Sequence, residues 1–275
     1  MADEHAVAIH YKRDDLLDTI RKGLAKMGKP DGKISVDDLA AVDEFHIGGR
    51  RASEHLHDQL GWRSDQQLLD IGCGLGGTAR FAATRYGARV TGIDLTPEYV
   101  HVGNALNALV SLDDRVELVR GSALALPFRD ACFDGAYLMH VGMNIDDKAR
   151  LFAQTRRVLR PGATFGIYEV MQTDERQPEF PLPWATSADQ SALASTDTYR
   201  EALTSAGFTV EVENDRSGFA QAFLENLNAT MSSRSGPPPL GLHLLMGPSA
   251  GAKIANMLAA IRNRVIAPVE MISRC

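Results

Sequence analysis

The sequence predicts an α/β protein with a mostly parallel β-sheet and helices on both faces. Two observations support this fold class. Short apolar or β-branched runs alternate with stretches of helical periodicity, which is typical of βαβ units. In addition, 44% of the 275 residues are apolar, enough for a sizeable core. The first five runs are 67–71, 88–95, 116–119, 132–141 and 163–170.

Apolar spacing predicts the helices that connect these runs. They cover Thr78–Tyr86, Pro97–Val110, Lys148–Leu159 and Thr198–Ala206. Two further strand-like runs, 208–212 and 265–272, lie in the last part of the sequence.

The residues before the first strand have helical rather than strand patterns. One amphipathic helix is expected over 14–28, with Pro30 contributing to its stop signal. Ser35, with Asp38 three positions later, is suited to cap a second helix, and a third is expected over 52–60.

We therefore expect a helical N-terminal cap segment at 1–64, followed by one sheet-containing domain at 65–275. Two segments are too long and turn-rich for ordinary connections, and we expect them to be lid insertions at about 171–197 and 217–264.

Charge and composition argue against several classes of protein function and location. A net charge of −6 argues against nucleic acid as the main partner. The sequence lacks a secretory signal pattern and an uncharged apolar run long enough for a membrane span, so we expect a cytoplasmic protein. Three cysteines without metal-type spacing suit a reducing compartment, and no metal site is expected.

The strongest motif is a buried strand that runs into a glycine cluster and then into a helix. Glycine allows a tight turn and lets backbone N–H groups approach a ligand at a helix N-terminus. Gly72, Gly74 and Gly77 fit the dinucleotide pattern G-x-G-x-x-G, whereas Asp70, Gly72, Gly74 and Gly76 fit the D-x-G-x-G-x-G pattern of adenosylmethionine binders. The glycines alone leave both cofactors open.

Asp94 ends the second strand, where a carboxylate can accept hydrogen bonds from both ribose hydroxyls. This feature also fits either cofactor.

Five segments in order and spacing resemble the class I S-adenosylmethionine-dependent methyltransferases. Within that superfamily the similarity is greatest to small-molecule enzymes of the ubiquinone/menaquinone-biosynthesis and sarcosine/dimethylglycine type, and it covers roughly residues 43–212. The segments are Leu69–Gly77, Val90–Thr96, Ala123–Phe128, Cys132–Asp134 and Arg157–Gly162.

The resemblance implies a Rossmann-like seven-stranded sheet whose last strand is antiparallel, with 265–272 as the candidate for that strand. It also implies S-adenosylmethionine as cofactor, S-adenosylhomocysteine as product, and in-line transfer of a methyl group to a nitrogen, oxygen or carbon of a small molecule.

The resemblance also implies cofactor contacts. Gly121 and Ser122 stand where the family often has Gly-Asp, with the Asp bonded to the adenine amino group, although Ser122 also suits a plain turn. Ala123 is the next implied contact. The other implied contacts are Asp70 near the methionine amino group, Gly72, Gly74 and Gly76 along the cofactor, Asp94 on the ribose and Leu95 on the adenine face.

An element over residues 43–50 corresponds to one that folds over the methionine part in related enzymes. Phe45 and His46 are candidates for closing over the methyl group, and Arg50 for the cofactor carboxylate. A turn between two helices explains the same residues equally well.

Two side chains are candidates for acid–base chemistry. His140 falls at the mouth of the fourth strand, where a neutral imidazole is a possible base, although it could instead only order the loop. Glu169, near the end of the fifth strand, could bind a cationic group or act as a base, or serve no catalytic purpose.

Three residues are candidates for contact with the methyl acceptor. Met143 and Asn144 follow His140, although Asn144 could also cap the next helix. Trp184 lies in the first lid insertion, where it could contact substrate or anchor the lid.

Three functions therefore remain at this point. The first is a methyltransferase acting on a small molecule. The second is a cofactor-binding regulatory protein without turnover, and the third is a nicotinamide-dependent oxidoreductase.

Overall fold

The strands form one sheet at the centre of the molecule. The computed structural model describes residues 4–13, 15–29, 33–232 and 236–275. The strands within these ranges are β1 Gln67–Ile71, β2 Arg89–Asp94, β3 Val116–Arg120, β4 Phe133–Met139, β5 Leu159–Gln172, β6 Thr209–Asp215 and β7 Ile266–Arg274.

The order of the strands confirms the predicted fold class. The described strands pair in the order β3-β2-β1-β4-β5-β7-β6. β1 is parallel to β2 and β4, whereas β7 is antiparallel to β5 and β6, as the resemblance implied for 265–272. Because the order reverses between β1 and β4, a crevice opens at their carboxyl ends.

Helices cover both faces of the sheet, and those predicted between strands are confirmed to within a few residues. β4 is almost entirely buried, as is β5 from residue 165 to residue 171, because they have helices on both sides. In chain order the helices are α1 Glu4–Tyr11, α2 Leu16–Lys26, α3 Val36–Asp43, α4 Arg50–Leu60, α5 Gly77–Tyr86, α6 Pro97–Leu109, α7 Lys148–Val158, α8 Thr196–Ser205, α9 Ser217–Ser232, α10 His243–Met246 and α11 Ala250–Arg262.

The N-terminal helices pack on the edge of the crevice. The apolar face of α2, with Ile20 and Leu24 buried, belongs to a hydrophobic cluster that includes residues of α3 and α6. α3 begins with the predicted capping box, in which the Ser35 N–H donates to Asp38 Oδ2 over 2.9 Å. Pro30, part of the predicted stop signal, lies outside the described residues. Helix α1 was not predicted.

The segments expected to form a lid share a hydrophobic cluster of their own. The stretch between β5 and α8 contributes Leu182 and Trp184, which pack with Leu224 of α9 and Ile254 of α11. The two segments therefore pack together around an apolar interior, and their role as a lid stays a prediction. The domain boundaries drawn from the sequence stay predictions.

One described stretch, His243–Arg262, is long and apolar enough to cross a membrane by length and composition alone. It consists of α10, a turn of 3-10 helix at Gly247–Ser249, and α11. Half of its most apolar window is buried inside the fold. In this structure the stretch packs as part of the lid.

Candidate functional site

A cavity of about 650 Å³ lies at the carboxyl ends of β1 and β4. This size is within the range of small-molecule sites. We call its two parts the loop half and the lid half. The loop half is lined by the glycine loop and the ends of β2 and β3, through residues 72–75, 93–96, 121 and 123–124. The lid half is lined by Met143, Asn144, Pro183, Trp184 and residues of α9–α11.

The glycine loop has the backbone conformation that its composition predicts. Gly72, Gly74 and Gly76 all have positive φ, at 72°, 54° and 79°. A Cβ on Gly72 would overlap Val141, whereas a Cβ on Gly74 would meet no atom within 4 Å. Since Gly74 also lines the cavity, the open space beside it is space that a ligand in the cavity can occupy.

Asp94 connects the glycine loop to the helix that follows β2. Its Oδ2 accepts the Gly74 N–H and its Oδ1 accepts the Thr96 N–H, both over 2.8 Å. Burial raises the pKa of Asp94, although the two backbone N–H groups oppose this shift. Each carboxylate oxygen keeps a lone pair for a ligand hydroxyl.

Asp70 lies at the end of β1 beside the loop and also lines the cavity. It is 3% exposed, and its Oδ2 has no hydrogen-bond partner in the described part of the chain. Burial raises the pKa of Asp70 well above its usual value, although the nearby Tyr137 hydroxyl opposes the shift. A buried acceptor without a partner fits a donor group on a ligand.

Leu95 and Ala123 line the loop half, but Ser122 is not among the lining residues. Their contacts with a cofactor stay predictions. The Ser122 hydroxyl accepts the Leu124 N–H over 3.0 Å and donates to the carboxylate of Glu4 in α1. Glu4 itself lines the cavity. The carboxylate at this end of the site therefore comes from α1.

Phe45 and His46 line the cavity, and His46 belongs to a buried polar cluster. His46 Nε2 lies 3.0 Å from Glu44 Oε2, which also accepts the Ser53 hydroxyl over 2.5 Å. His46 Nδ1 has no hydrogen-bond partner among the residues described. Although burial opposes the shift, the His46 hydrogen bond and the Arg50 charge lower the pKa of Glu44.

Arg50 has a different environment from the one predicted. Its Nε lies 2.7 Å from Glu44 Oε1, and its guanidinium stands over the Phe81 ring at 4.8 Å. Arg50 does not line the cavity. It neutralises Glu44 inside the protein, so in this arrangement its guanidinium does not reach a ligand carboxylate.

His140 joins the end of β4 to the N-terminal segment and to β5. Its Nε2 accepts the Ile47 N–H over 3.3 Å, and its Nδ1 lies 3.0 Å from the Tyr168 carbonyl. These partners assign the proton to Nδ1. Burial and the nearby His46 lower the pKa of His140 to about 3. The base role stays a prediction, and the contacts favour a positioning role for this neutral imidazole.

Glu169 lies behind the loop that follows β4 and not among the residues that line the cavity. It is fully buried, and its Oε1 accepts the Val141 N–H over 2.6 Å. Burial raises the pKa of Glu169 to about 7, although N–H groups of the loop oppose the shift. Its position supports a role in holding the loop.

Glu169→Gln should change how stability depends on pH. The pKa of Glu169 is raised from 4.5 to about 7 in the folded protein, so folding retains a proton that the unfolded chain releases in this window. The wild type should therefore lose about 3 kcal/mol relative to Glu169→Gln as the pH rises from about 4.5 to 7. Urea unfolding of both proteins at several pH values measures the difference, and a constant difference would contradict the prediction.

Met143 and Asn144 line the cavity as predicted. The Asn144 Oδ1 accepts the Tyr11 hydroxyl of α1 over 3.3 Å, whereas Asp147 caps α7 by accepting the Arg150 N–H. Asn144 therefore fastens α1 to the site and does not cap the helix. Trp184 both lines the cavity and anchors the lid, because its Nε1–H donates to Ser191 Oγ over 2.9 Å.

Sequence reasoning missed Glu4, Tyr11, Glu44 and Arg80. Arg80 is fully buried on α5, where it pairs with Asp43 over 2.7 Å and donates to the Leu75 carbonyl of the glycine loop. Arg80 stands among Ala79, Phe81, Ala82 and Ala83, and this apolar setting is a signal that could have identified it. Nothing local marks the residues of α1. In the described ranges, no group of His, Cys, Asp and Glu is arranged to hold a metal ion.

Comparison with known proteins is consistent with this geometry. Residues 69–167 match the family model described as "Methyltransferase domain". A sterol 24-C-methyltransferase of Gibberella zeae is 32% identical over 136 residues, 50% of this chain and 36% of the relative. An O-methyltransferase of Pyrenophora dematioidea is 27% identical over 74% of each protein.

The fold comparison covers nearly the whole chain. A solved geranyl diphosphate C-methyltransferase from Streptomyces coelicolor has a TM-score of 0.72 and 20% identity, over 98% of this chain and 97% of that one. At this identity the match shows the fold alone. The chain spans only 36%, 40% and 48% of the length of three curated relatives that it matches.

Proposed function

We propose that this chain is a class I S-adenosylmethionine-dependent methyltransferase that transfers a methyl group from S-adenosylmethionine to a small-molecule acceptor. The cofactor lies along the loop half and the acceptor occupies the lid half. The observation that carries the proposal is the Asp94 carboxylate, held at the switch point by the Gly74 and Thr96 N–H groups.

The residues of the loop half fit this cofactor. Asp94 accepts hydrogen bonds from the ribose hydroxyls, and Leu95 and Ala123 border the adenine. Asp70 Oδ2, which has no hydrogen-bond partner among the described residues, accepts a hydrogen bond from a donor such as the methionine amino group. The open space at Gly74 lets the cofactor run close to the backbone. Phe45 and His46 border the methionine part.

When bound, S-adenosylmethionine supplies the methyl group on a sulfonium that is already a good leaving group, so the protein needs mainly to align the reactants and exclude water. His140 positions Ile47 and the end of β5, and Glu169 holds the Val141 N–H. Met143, Asn144 and Trp184 border the acceptor. His140 is the candidate base if the nucleophile must lose a proton, with Glu169 as an indirect alternative.

We place the protein in the cytoplasm and the acceptor among free small molecules. Its three cysteines are free, which suits a reducing compartment. The acidic groups around the cavity disfavour a nucleic acid substrate. Subcellular fractionation tests the location, and recovery in an exported fraction would contradict it.

Titration calorimetry with S-adenosylhomocysteine and with NADH tests the cofactor, and transfer of a labelled methyl group to a panel of acceptors tests turnover. We expect S-adenosylhomocysteine to bind and NADH not to bind. Preferential binding of NADH would overturn the proposal. Binding without transfer to any acceptor would favour a regulatory protein.

Gly74→Ala should weaken binding of S-adenosylhomocysteine by at least about tenfold, because the new methyl group fills the space beside the cofactor. Gly61→Ala is the matched control. Gly61 has φ of 65° and also nothing within 4 Å, but it ends α4 away from the cavity. Both variants carry a similar strain of about 1 to 2 kcal/mol. Equal affinities of the two variants, measured by calorimetry, would contradict the cofactor path.

Glu4 is proposed to accept the adenine amino group, the role that the resemblance assigned to the position of Ser122. Its carboxylate lines the cavity and is held by the Ser122 hydroxyl. Glu4→Gln should weaken the binding of S-adenosylhomocysteine more than the binding of S-inosylhomocysteine, which has a carbonyl in place of the amino group. Equal loss for both ligands, measured by calorimetry, would refute the contact.

A further inference from the structure

The lid half of the cavity is walled almost entirely by aliphatic, thioether and aromatic side chains. Helix α9 contributes Phe223, Leu224 and Leu227, and the segment from α10 to α11 contributes four more apolar groups. The complete apolar set from the lid segments is Pro183, Trp184, Phe223, Leu224, Leu227, Leu242, Leu245, Met246, Ile254 and Met257. A wall of this kind stabilises apolar surface removed from water, at about 25 cal/mol per Å².

The residues described as lining the cavity include no lysine or arginine. Cations on nearby elements donate to main-chain carbonyls instead. Lys148 Nζ donates to the Ala192 carbonyl over 2.8 Å, Lys253 Nζ to the Met246 carbonyl over 3.3 Å, and Arg13 to the His10 carbonyl over 3.0 Å. A phosphate or diphosphate in the lid half would therefore be buried without a counter-charge, which is strongly unfavourable.

The lid also offers no counter-charge to a cationic acceptor. The lining residues contributed by α9, α10 and α11 include no carboxylate. Asp94 belongs to the loop half, Asp70 lies beside the glycine loop, and Glu4 is hydrogen-bonded to Ser122. Asp43 pairs with Arg80, and Asp146 is exposed on the loop after β4. Asp147, at the loop after β4, is engaged in capping α7. An ammonium group among leucine and methionine side chains would lose its hydration without compensation.

The polar groups that Asn144, Tyr11 and His140 bring to the boundary of the two halves are neutral, whereas the Asp146 and Asp147 carboxylates on the loop after β4 are exposed to solvent. Asn144 and Tyr11 form a hydrogen bond there, and His140 is an uncharged imidazole. This distribution orients an acceptor whose single polar end meets the boundary and whose apolar body meets α9–α11.

We propose that the methyl acceptor is an uncharged, mainly apolar molecule, whose skeleton packs against α9–α11 and whose nucleophilic hydroxyl oxygen or alkene carbon faces the boundary near Asn144. This inference rests on the proposed function. The acceptor atom forms the bond to the methyl carbon while the methyl–sulfur bond breaks and its electron pair goes to sulfur. The acceptor loses one proton, which passes to water directly or by way of His140, the candidate base.

The test compares matched ligands on the protein saturated with S-adenosylhomocysteine. Two skeletons, geranyl and 2-naphthylmethyl, are each offered as alcohol, ammonium and diphosphate, and binding is measured by calorimetry. We expect the alcohol of at least one skeleton to bind at least about tenfold more tightly than its charged forms. Tighter or equal binding of a charged form on both skeletons, or no binding by either alcohol, would overturn the inference.

Leu227→Arg adds a cation to the wall of the lid half at a partly buried position. The variant should bind the alcohol at least about tenfold more weakly than wild type, and it should bind the diphosphate more tightly than wild type. Asn228→Arg adds the same charge at the next, exposed position of α9, outside the cavity, and should leave both affinities unchanged. An equal response of the two variants would contradict the assignment of the wall.

The two proposals fail in different ways. If S-adenosylhomocysteine does not bind, the proposed function is wrong. If it binds and the charged ligands are preferred, only the acceptor class is wrong. Circular dichroism shows whether Leu227→Arg is folded. If this variant does not fold, the ligand series on the wild-type protein still tests the proposed acceptor class.

Discussion

Arg80→Met should destabilise the protein by about 3 to 5 kcal/mol, the usual cost of removing one partner from a buried ion pair. Arg80 is fully buried and donates to Asp43, Asn107 and the Leu75 carbonyl over 2.6 to 2.7 Å. Methionine fills similar space but leaves the Asp43 carboxylate without its counter-charge, and burial already raises the pKa of Asp43. Urea unfolding at neutral pH measures the loss.

Arg85→Met is the matched control on the same helix. Arg85 pairs with Asp58 over 2.9 Å, but both side chains are about half exposed. Exposed pairs contribute about 0 to 1 kcal/mol, so this variant should remain close to wild type. Adding Asp43→Asn to Arg80→Met should restore part of the stability by removing the unpaired charge. Similar losses in Arg80→Met and Arg85→Met would contradict the argument.

Asp94→Asn should weaken binding of S-adenosylhomocysteine by about tenfold to a hundredfold. The substitution keeps the shape of the side chain but replaces an acceptor oxygen with a donor, so one charge-assisted hydrogen bond to the ribose is lost. Stability without ligand should fall by about 1 to 3 kcal/mol, because the amide nitrogen replaces one of the two oxygens that accept the Gly74 and Thr96 N–H groups. Calorimetry and urea unfolding separate the two effects.

Asp134→Asn provides the control for this comparison. Asp134 also lies on a strand and accepts a backbone N–H, that of Gln67, over 2.8 Å. It stands near the start of β4, at the opposite end of this strand from the cavity. Its substitution should leave the affinity for S-adenosylhomocysteine unchanged. Unchanged affinity in Asp94→Asn as well would refute the ribose contact.

The sheet could be predicted from the sequence because its signals are local. Parallel strands buried on both faces appear as short apolar runs, and helices between them repeat every three to four residues. The capping box at Ser35 and Asp38 likewise depends on residues three positions apart. Helix α1 has none of these signals, because its helical residues have no buried face of their own.

The glycine loop and Asp94 were also predictable, since both requirements are imposed by the backbone. Gly72 needs positive φ and has no room for a side chain, and these constraints show directly in residue type. The role of His140 was not predictable in the same way. A histidine at the end of a strand suits a base or a structural group, and only its bonds to Ile47 and Tyr168 distinguish them.

The sequence by itself determined the fold class, the glycine loop and the acid at the end of β2, because each follows from periodicity, turn chemistry or spacing within about thirty residues. Tertiary structure decided which groups meet in the cavity. Glu4 reaches Ser122 across 118 positions and Tyr11 reaches Asn144 across 133. Pairings over such distances depend on how the elements pack, and packing also leaves the lid half apolar and without lysine or arginine among the described lining residues.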